Sequence, residues 1–367
     1  MIPYGRQSVD KSDSVAVLKT LQSPWLTQGP QVLAFEKALA KTGGAKYAVA
    51  VANGTAALHL SYLVAGLKTG DEVITTPNTF VATTNMLLAV GAKPVFCDIR
   101  SDTYNIDETK IEKLITKRTR AIVPVHFAGH PCDLGKIKSI AKKYKLLVIE
   151  DACHALGASF NNKKIGSIGD MSIFSFHPVK PITTGEGGAI LTNNKKFYEQ
   201  LVLLRSHGVK KDQKGFNVMT ELGYNYRLTD IQAALGISQL KKLDRFIKQR
   251  HWLVEWYKKC LADCKDIVLP IEAPRTYSAW HIYVIRTRES TNRLPLYNHL
   301  KIHGISANFH YPTVYSHPYY RKNGFAKIHC PIAEEYTATT ITLPLYTLLT
   351  SREVLFVTKT VKDFFQK

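Results

Sequence analysis

The sequence has no unbroken run of the ~20 apolar residues that a membrane-spanning helix needs. Its first residues, Met1-Ile-Pro-Tyr-Gly-Arg, also lack the apolar segment of a secretory signal peptide. An integral membrane protein is therefore not expected, and we expect a soluble globular protein of the cytoplasm.

The sequence contains few cysteines, and their spacing forms no recognised motif. The six cysteines, at positions 97, 132, 153, 260, 264 and 330, include no Cys-x-x-Cys pair. Neither a disulfide framework nor a metal site is predicted, and reduced thiols are expected.

Acidic residues are few, since 29 Asp and Glu accompany 49 Lys and Arg and give a formal charge of +20. Such a balance raises the hypothesis of nucleic-acid binding. The basic residues are dispersed, however, and no nucleic-acid motif accompanies them. We expect no nucleic-acid partner, because the positive field would equally attract anionic small molecules.

The 367 residues can fill about two domains. Between 31 and 240, short apolar runs alternate with amphipathic helical patterns, which predicts an α/β large domain with a mostly parallel sheet covered by helices on both faces. The apolar runs are Tyr47–Val51, Glu72–Thr75, Pro94–Cys97, Ala121–His126 and Leu146–Glu150. The helical patterns are Thr55–Leu63, Ala82–Val90 and Leu134–Lys143. Ligands of such sheets bind beyond the carboxyl ends of the strands.

The flanking regions predict two smaller units. Residues 1–30 form an arm with one short helix, whose apolar positions include Val15, Leu18 and Leu21. Residues 241–367 begin with a long basic helix, Lys241–Tyr257, and continue as a smaller C-terminal α/β domain. Its predicted strands are His281–Arg286 and Ile305–Phe309.

Lys180 is the most informative single residue. It lies in the segment SFHPVKPITTGEGG (175–188), between apolar side chains and a run of hydroxyls and glycines. Desolvation favours the neutral amine of a lysine, and a neutral amine is the nucleophile that forms a Schiff base. Without further information, a solvated lysine on a glycine-rich loop remains the alternative.

That segment is similar to the cofactor-lysine signature of the DegT/DnrJ/EryC1/StrS family of pyridoxal-phosphate (PLP) sugar aminotransferases. The similarity extends over nearly the whole chain. Four further motifs follow the family in order and spacing: WLTQGP (25–30), ANGTAALHL (52–60), IEDACHALG (149–157) and GYNYRLTDIQAALG (223–236).

The resemblance implies a fold-type I PLP-dependent aminotransferase in which Lys180 binds PLP covalently and moves the proton. Asp151 would face the pyridine nitrogen, and His154 would contact the ring hydroxyl. Phe80 would stack on the ring, while the phosphate would lie against Thr55, Ala56 and Ser175. Asn225 would reach the cofactor phosphate of the neighbouring subunit of a homodimer. Without the family pattern, each of these residues also has a structural interpretation, such as Asp151 capping a helix.

The resemblance also indicates substrates. IPYGRQSVD (2–10) and TTPNTFVATTNM (75–86) are most similar to members that act in pseudaminic acid biosynthesis. The reaction implied is amination of C4 of a UDP-linked 2-acetamido-2,6-dideoxy-4-keto hexose of beta-L-arabino configuration, with L-glutamate as donor. The residues expected to contact substrate are Tyr4, Trp25, Leu26, Thr27, Phe309, His310 and Tyr311.

Alternatives remain open at this point. One is 4- or 3-amination of another nucleotide-linked keto sugar. A sugar dehydratase on the same fold would have histidine in place of the lysine, and Lys180 argues against it. A non-catalytic binding or regulatory protein is favoured by the net charge alone.

Overall fold

A computed structural model describes residues 1–366. The helices are α1 Lys11–Leu21, α2 Pro30–Gly43, α3 Gly54–Val64, α4 Ala82–Ala89, α5 Leu134–Tyr144, α6 Lys195–Arg205, α7 Asp230–Leu240, α8 Leu243–Leu261, α9 Arg293–Ile302, α10 Pro318–Tyr320, α11 Pro331–Thr339 and α12 Ser351–Phe365. Within residues 1–366, no helix combines the length and apolar character needed to cross a bilayer.

The strands are β1 Tyr47–Val51, β2 Glu72–Thr75, β3 Lys93–Phe96, β4 Thr119–Val123, β5 Leu147–Asp151, β6 Ser159–Phe160, β7 Lys163–Lys164, β8 Met171–Ser175, β9 Gly188–Thr192, β10 Val209–Lys211, β11 Asn217–Met219, β12 Ile267–Val268, β13 Thr276–Tyr277, β14 Tyr283–Thr287 and β15 Thr340–Leu343.

A seven-stranded sheet forms the centre of the molecule, in the order β1-β9-β8-β5-β4-β2-β3. Only β9 runs against the others, because it pairs antiparallel with both β1 and β8 while the remaining pairs are parallel. The five predicted runs correspond to β1–β5 and the three predicted helices to α3–α5, so the predicted parallel α/β sheet is confirmed.

Strand β1 shows why the sheet is covered on both faces. Val49 and Val51 are fully buried in the core that α3 covers, whereas Ala48 and Ala50 belong to the core on the opposite face, with Phe35 of α2. Successive side chains of a strand point to opposite faces, so an uninterrupted apolar run fills two cores at once.

A second, antiparallel sheet has the order β12-β14-β15 and packs against α8, α9 and α12. Its core contains the stacked rings of Tyr257 and Tyr283, whose centroids are 4.5 Å apart. The predicted helix Lys241–Tyr257 corresponds to α8, and the predicted strand His281–Arg286 overlaps β14.

The predicted strand Ile305–Phe309 was wrong. This segment forms only isolated bridges, one from Ile305 to Ile2 and one from Asn308 to Thr342. Because its two ends pair with different parts of the chain, no continuous ladder forms.

Helix α1 is present as predicted, but Val15, Leu18 and Leu21 do not pack, and among its predicted apolar positions only Val17 is half-buried. Val15, Leu18 and Leu21 are each at least half exposed. The buried contact is polar instead: Asp13 accepts hydrogen bonds from Lys242, at 2.5 Å, and from Gln239, at 2.8 Å. The periodicity predicted the helix correctly but not the face by which it is held.

Candidate active site

A cavity of about 1000 Å³ opens at the carboxyl ends of the parallel strands. Its floor follows β1, β5 and β8, and its wall comes from Tyr4 and residues 308–312. Eleven of the predicted site residues line it: Tyr4, Thr55, Ala56, Phe80, Asp151, His154, Ser175, Lys180, Phe309, His310 and Tyr311.

Lys180 lies in the loop that joins β8 to β9. The loop is anchored by two buried side chains, Phe176, whose ring meets that of Phe35 edge-on at 5.3 Å, and Ile182. The Lys180 amide donates to the His177 carbonyl at 2.9 Å. Burial lowers the pKa of the Lys180 ammonium, although Cys153 and Asp151 oppose the change. The amine is therefore easier to deprotonate than that of a solvated lysine.

Asp151 is the last residue of β5 and is 5% exposed. Its carboxylate accepts a hydrogen bond from the Thr83 hydroxyl at 2.6 Å and one from the Cys153 amide at 3.2 Å. Within residues 1–366, no cationic side chain forms an ion pair with it. A buried carboxylate without a cation is costly, so this position suits a ligand that brings a positive charge or an N–H donor.

His154 follows Asp151 by three residues, and its Nε2 lies 3.2 Å from the Tyr311 hydroxyl. Its Nδ1 is buried and has no hydrogen-bond partner in the part of the chain that the structure describes. Burial, reinforced by the charges of Lys180 and His310, lowers the pKa of His154 well below its ordinary value. The ring is therefore neutral at pH 7 and has one nitrogen available for a ligand.

The start of α3 forms an anion-binding cradle. The Asn53 side chain caps the helix by accepting from the Ala56 amide at 2.8 Å. A Cβ atom on Gly54 would lie 3.0 Å from Cβ of Ser175, so glycine allows the helix start to approach Ser175 closely. Helix N-termini carry amides without intrahelical partners, and these bind phosphate.

The wall of the cavity is aromatic. The Tyr4 ring lies 5.7 Å from that of His310, and the Phe80 ring lies 6.3 Å from that of Tyr311. Burial lowers the pKa of His310 to about 4, so this histidine is neutral at pH 7. Phe80 is 58% exposed, unlike an aromatic residue of a packed core, and its ring is therefore accessible for stacking on a ligand.

Four predicted residues lie outside this cavity: Trp25, Leu26, Thr27 and Asn225. Trp25 and Leu26 are about half exposed, and the Leu26 carbonyl accepts from the Asp230 amide at the start of α7. Asn225 is exposed as well. The contacts predicted for these residues remain predictions.

His281 was missed by the sequence interpretation, although it lines the cavity. It is 3% exposed, its ring lies 4.4 Å from that of His154, and its Nδ1 has no partner among residues 1–366. The buried Arg250 holds it in place by donating to the carbonyls of Trp280 and His281. The segment SAWHIY contains no motif that would have indicated this position.

Comparisons with known proteins give consistent results. The sequence model of the DegT/DnrJ/EryC1/StrS aminotransferase family matches residues 7–362. The chain is 39% identical to the UDP-4-amino-4,6-dideoxy-N-acetyl-beta-L-altrosamine transaminase of Campylobacter jejuni, over 100% of this chain and 98% of that protein. It is 38% identical to the spore coat polysaccharide biosynthesis protein SpsC of Bacillus subtilis, over 99% of this chain and 96% of that protein. Among solved structures, Helicobacter pylori PseC, an aminotransferase involved in the biosynthesis of pseudoaminic acid, superposes with a TM-score of 0.95 at 36% identity, covering 100% of this chain and 99% of that chain.

Proposed function

Because the chain belongs to the DegT/DnrJ/EryC1/StrS aminotransferase family, whose members are PLP-dependent sugar aminotransferases, we propose that it aminates C4 of a UDP-linked 4-keto hexose. The proposed acceptor is the 2-acetamido-2,6-dideoxy sugar of beta-L-arabino configuration, and the proposed donor is L-glutamate. The names of the relatives from Campylobacter jejuni and Helicobacter pylori support this choice.

The residues of the cavity fit PLP. Asp151 is a buried carboxylate that forms no ion pair within residues 1–366, and such a group suits a protonated pyridine nitrogen. Nδ1 of His154, which has no partner among residues 1–366, suits the ring oxygen. Thr55 and Ser175 suit the phosphate, and Ala56 lies beside them, although its amide donates to Asn53 in this structure. Phe80 would stack on one face of the ring. Bound PLP supplies an electron sink that stabilises the carbanion formed when the donor loses its α-proton.

Lys180 performs the proton transfer in this proposal. With the cofactor and donor bound, its amine would take the proton from the donor's α-carbon as a general base and would then act as the acid that gives the proton back. The lowered pKa keeps a larger share of the amine neutral, as a general base requires. Asp151 holds a proton on the ring nitrogen throughout, since a buried carboxylate favours a cation beside it.

The wall residues Tyr4, Phe309, His310 and Tyr311 would bind the sugar. Their aromatic surfaces suit the apolar faces of a deoxy hexose, and the hydroxyls and imidazole can bind its polar groups. Trp25, Leu26 and Thr27 are proposed to contact the sugar as well, from the arm segment that is anchored at α7.

We further propose a homodimer with shared sites. Asn225 is exposed and lies outside the cavity of its own chain, so it is free to reach the cofactor phosphate in the other subunit. The hairpin β10–β11 nearby exposes Phe216 and Met219 by 67% and 60%, and such apolar surface favours association.

One observation supports this proposal most directly: Lys180 and Asp151 line the same cavity, and Asp151 forms no ion pair within residues 1–366. An optical experiment tests the proposal. The protein is loaded with PLP and converted to the amino form with glutamate, and the donor is removed. UDP-linked 4-keto sugars of both configurations are then added separately. Return of the PLP absorption with the beta-L-arabino sugar alone is the expected result. Return with neither sugar, after conversion by glutamate, would refute the proposed acceptor.

A further inference from the structure

We propose that Thr83 is a positioning residue for the reaction, and that Thr79 supports it, through a chain of two hydroxyls that ends on the Asp151 carboxylate. The inference deepens the proposed function, since it rests on Asp151 facing the ring nitrogen of PLP. Both threonines lie in the segment TTPNTFVATTNM (75–86), but the family resemblance assigned a role to neither of them. Both line the cavity, on the segment that leads into α4 and on its first turn.

The geometry joins three side chains in a row. The Thr79 and Thr83 hydroxyl oxygens are 2.7 Å apart, and the Thr83 hydroxyl lies 2.6 Å from Oδ2 of Asp151. All three residues are at most 5% exposed. Water therefore has little access with which to replace a missing donor.

The proton of Thr83 has two acceptors within reach. One is the Phe80 carbonyl at 3.2 Å, the ordinary partner of a threonine in the first turn of a helix. The other is the Asp151 carboxylate, which is closer at 2.6 Å and carries a charge. Charge-assisted bonds are shorter and stronger than neutral ones, so the proton lies toward Asp151. The Thr79 hydroxyl then donates to the Thr83 oxygen.

This bond has a chemical consequence beyond orientation. A hydroxyl that donates to a carboxylate stabilises its charged form and lowers its affinity for a proton. The proton shared between Asp151 and the ring nitrogen of PLP is then held on the ring. A protonated ring is the better electron sink, so Thr83 supports the α-proton step without touching substrate.

The backbone at Thr83 is fixed independently of its side chain. The buried Tyr62 hydroxyl donates to the Thr83 carbonyl at 2.9 Å. The next residue, Thr84, is equally buried and uses its hydroxyl on Tyr320 at 2.6 Å, away from Asp151. Thr84 is therefore a matched control: its loss removes one buried hydroxyl of the same helix turn but leaves the Asp151 contact intact.

The test uses the full-length protein loaded with PLP labelled with ¹⁵N at the ring nitrogen. The NMR shift of that nitrogen reports whether it carries a proton, and it needs no substrate. Thr83→Val should move the shift toward the unprotonated value and slow the glutamate half-reaction by roughly 10- to 100-fold, the range of a hydrogen bond to a charged group. Thr83→Ser should restore both readouts, and Thr79→Val should change them in the same direction but less.

Unchanged shifts in Thr83→Val, or equal changes in Thr84→Val, would overturn the proposal. If the Thr83→Val protein does not fold, the ring-nitrogen shift measured in the Thr79→Val protein tests the proposal instead. Failure of the proposed function can be told apart from failure of this inference. If the proposed function is wrong, the wild-type protein does not react with glutamate or the keto sugar, but the ring-nitrogen shift still reports on the two threonines.

Discussion

The Tyr311 hydroxyl lies 3.2 Å from Nε2 of His154. This contact crosses the cavity and joins two residues that are 157 positions apart in the sequence. Burial raises the pKa of Tyr311, so the phenol stays protonated and can donate a hydrogen bond to Nε2 of His154. With the phenol as the donor to Nε2, we infer that His154 carries its own proton on Nδ1, the nitrogen without a partner among residues 1–366. The tyrosine thereby fixes the tautomer that a cofactor oxygen requires.

Tyr311→Phe should therefore weaken PLP binding by about 3- to 10-fold, the effect of one neutral hydrogen bond of about 0.5–1.5 kcal/mol. Fluorescence titration of the apo protein with PLP measures the change. Tyr144→Phe, on the outer surface, is the control. Unchanged affinity in Tyr311→Phe would show that the tautomer does not depend on this bond.

Lys180→Ala should abolish covalent PLP binding and lower turnover by more than about 10²-fold, because the nucleophile and the general base are lost together. Borohydride reduction followed by mass spectrometry detects the covalent adduct. The exposed Lys164→Ala should retain both properties. Amination by the Lys180→Ala variant at the wild-type rate would contradict the role assigned to Lys180.

Mixed dimers test the proposed sharing of sites. Lys180→Ala and Asn225→Ala should each be nearly inactive as pure proteins. After denaturation and refolding together in equal amounts, random pairing leaves one intact site in each mixed dimer, and activity should return to about a quarter of wild type. If no activity returns although mixed dimers form, Asn225 acts within its own subunit. Wild-type activity of the pure Asn225→Ala protein would instead show that Asn225 has no role in the reaction.

Acid should destabilise the fold through its buried histidines. Burial lowers the pKa of His130 and His310 to about 4 and lowers that of His154 and His281 well below its ordinary value, whereas unfolded histidine titrates near 6.5. Below pH ~6.5 the unfolded chain binds protons that the folded chain does not, so the free energy of unfolding falls as the pH is lowered.

His130→Gln isolates one such contribution outside the cavity. Between pH 6.5 and 5 the variant should lose stability less steeply than wild type, by up to about 1.4 kcal/mol per pH unit. Urea unfolding at several pH values measures the slopes. Between pH 7 and 8 the two slopes should agree, and identical slopes below pH 6 would refute the assignment of a depressed pKa to His130.

The sequence alone predicted the strands β1–β5 and the residues of the cavity floor. Those strands are short, mostly apolar runs. Asp151 follows the fifth run, and Ser175 belongs to the segment around Lys180, whose similarity to the family signature indicated its place. The strands β8 and β9, which hold the two ends of the Lys180 loop, were not among the predicted runs. The antiparallel direction of β9 could not be predicted either, because an apolar run does not reveal its direction in a sheet.

The missed contacts have a common cause. Thr83 meets Asp151 across 68 residues, and His281 meets His154 across a still longer separation. Such pairs follow from how the sheet and the wall come together, and no local pattern encodes them. Trp25, Leu26, Thr27 and Asn225 lie outside the cavity of a single chain, so their predicted roles depend on the assembly.

The floor and the wall of the cavity belong to different cores. The floor is part of the seven-stranded sheet, whereas the wall is attached elsewhere, with Ile2 and Phe309 packing against the core that contains β14 and β15. Mutations of a wall residue such as Phe309 can therefore accumulate without disturbing the lysine or its carboxylate, whereas Tyr311 is tied to the floor through His154. Such a division allows one chemistry to be inherited unchanged while its choice of sugar diverges.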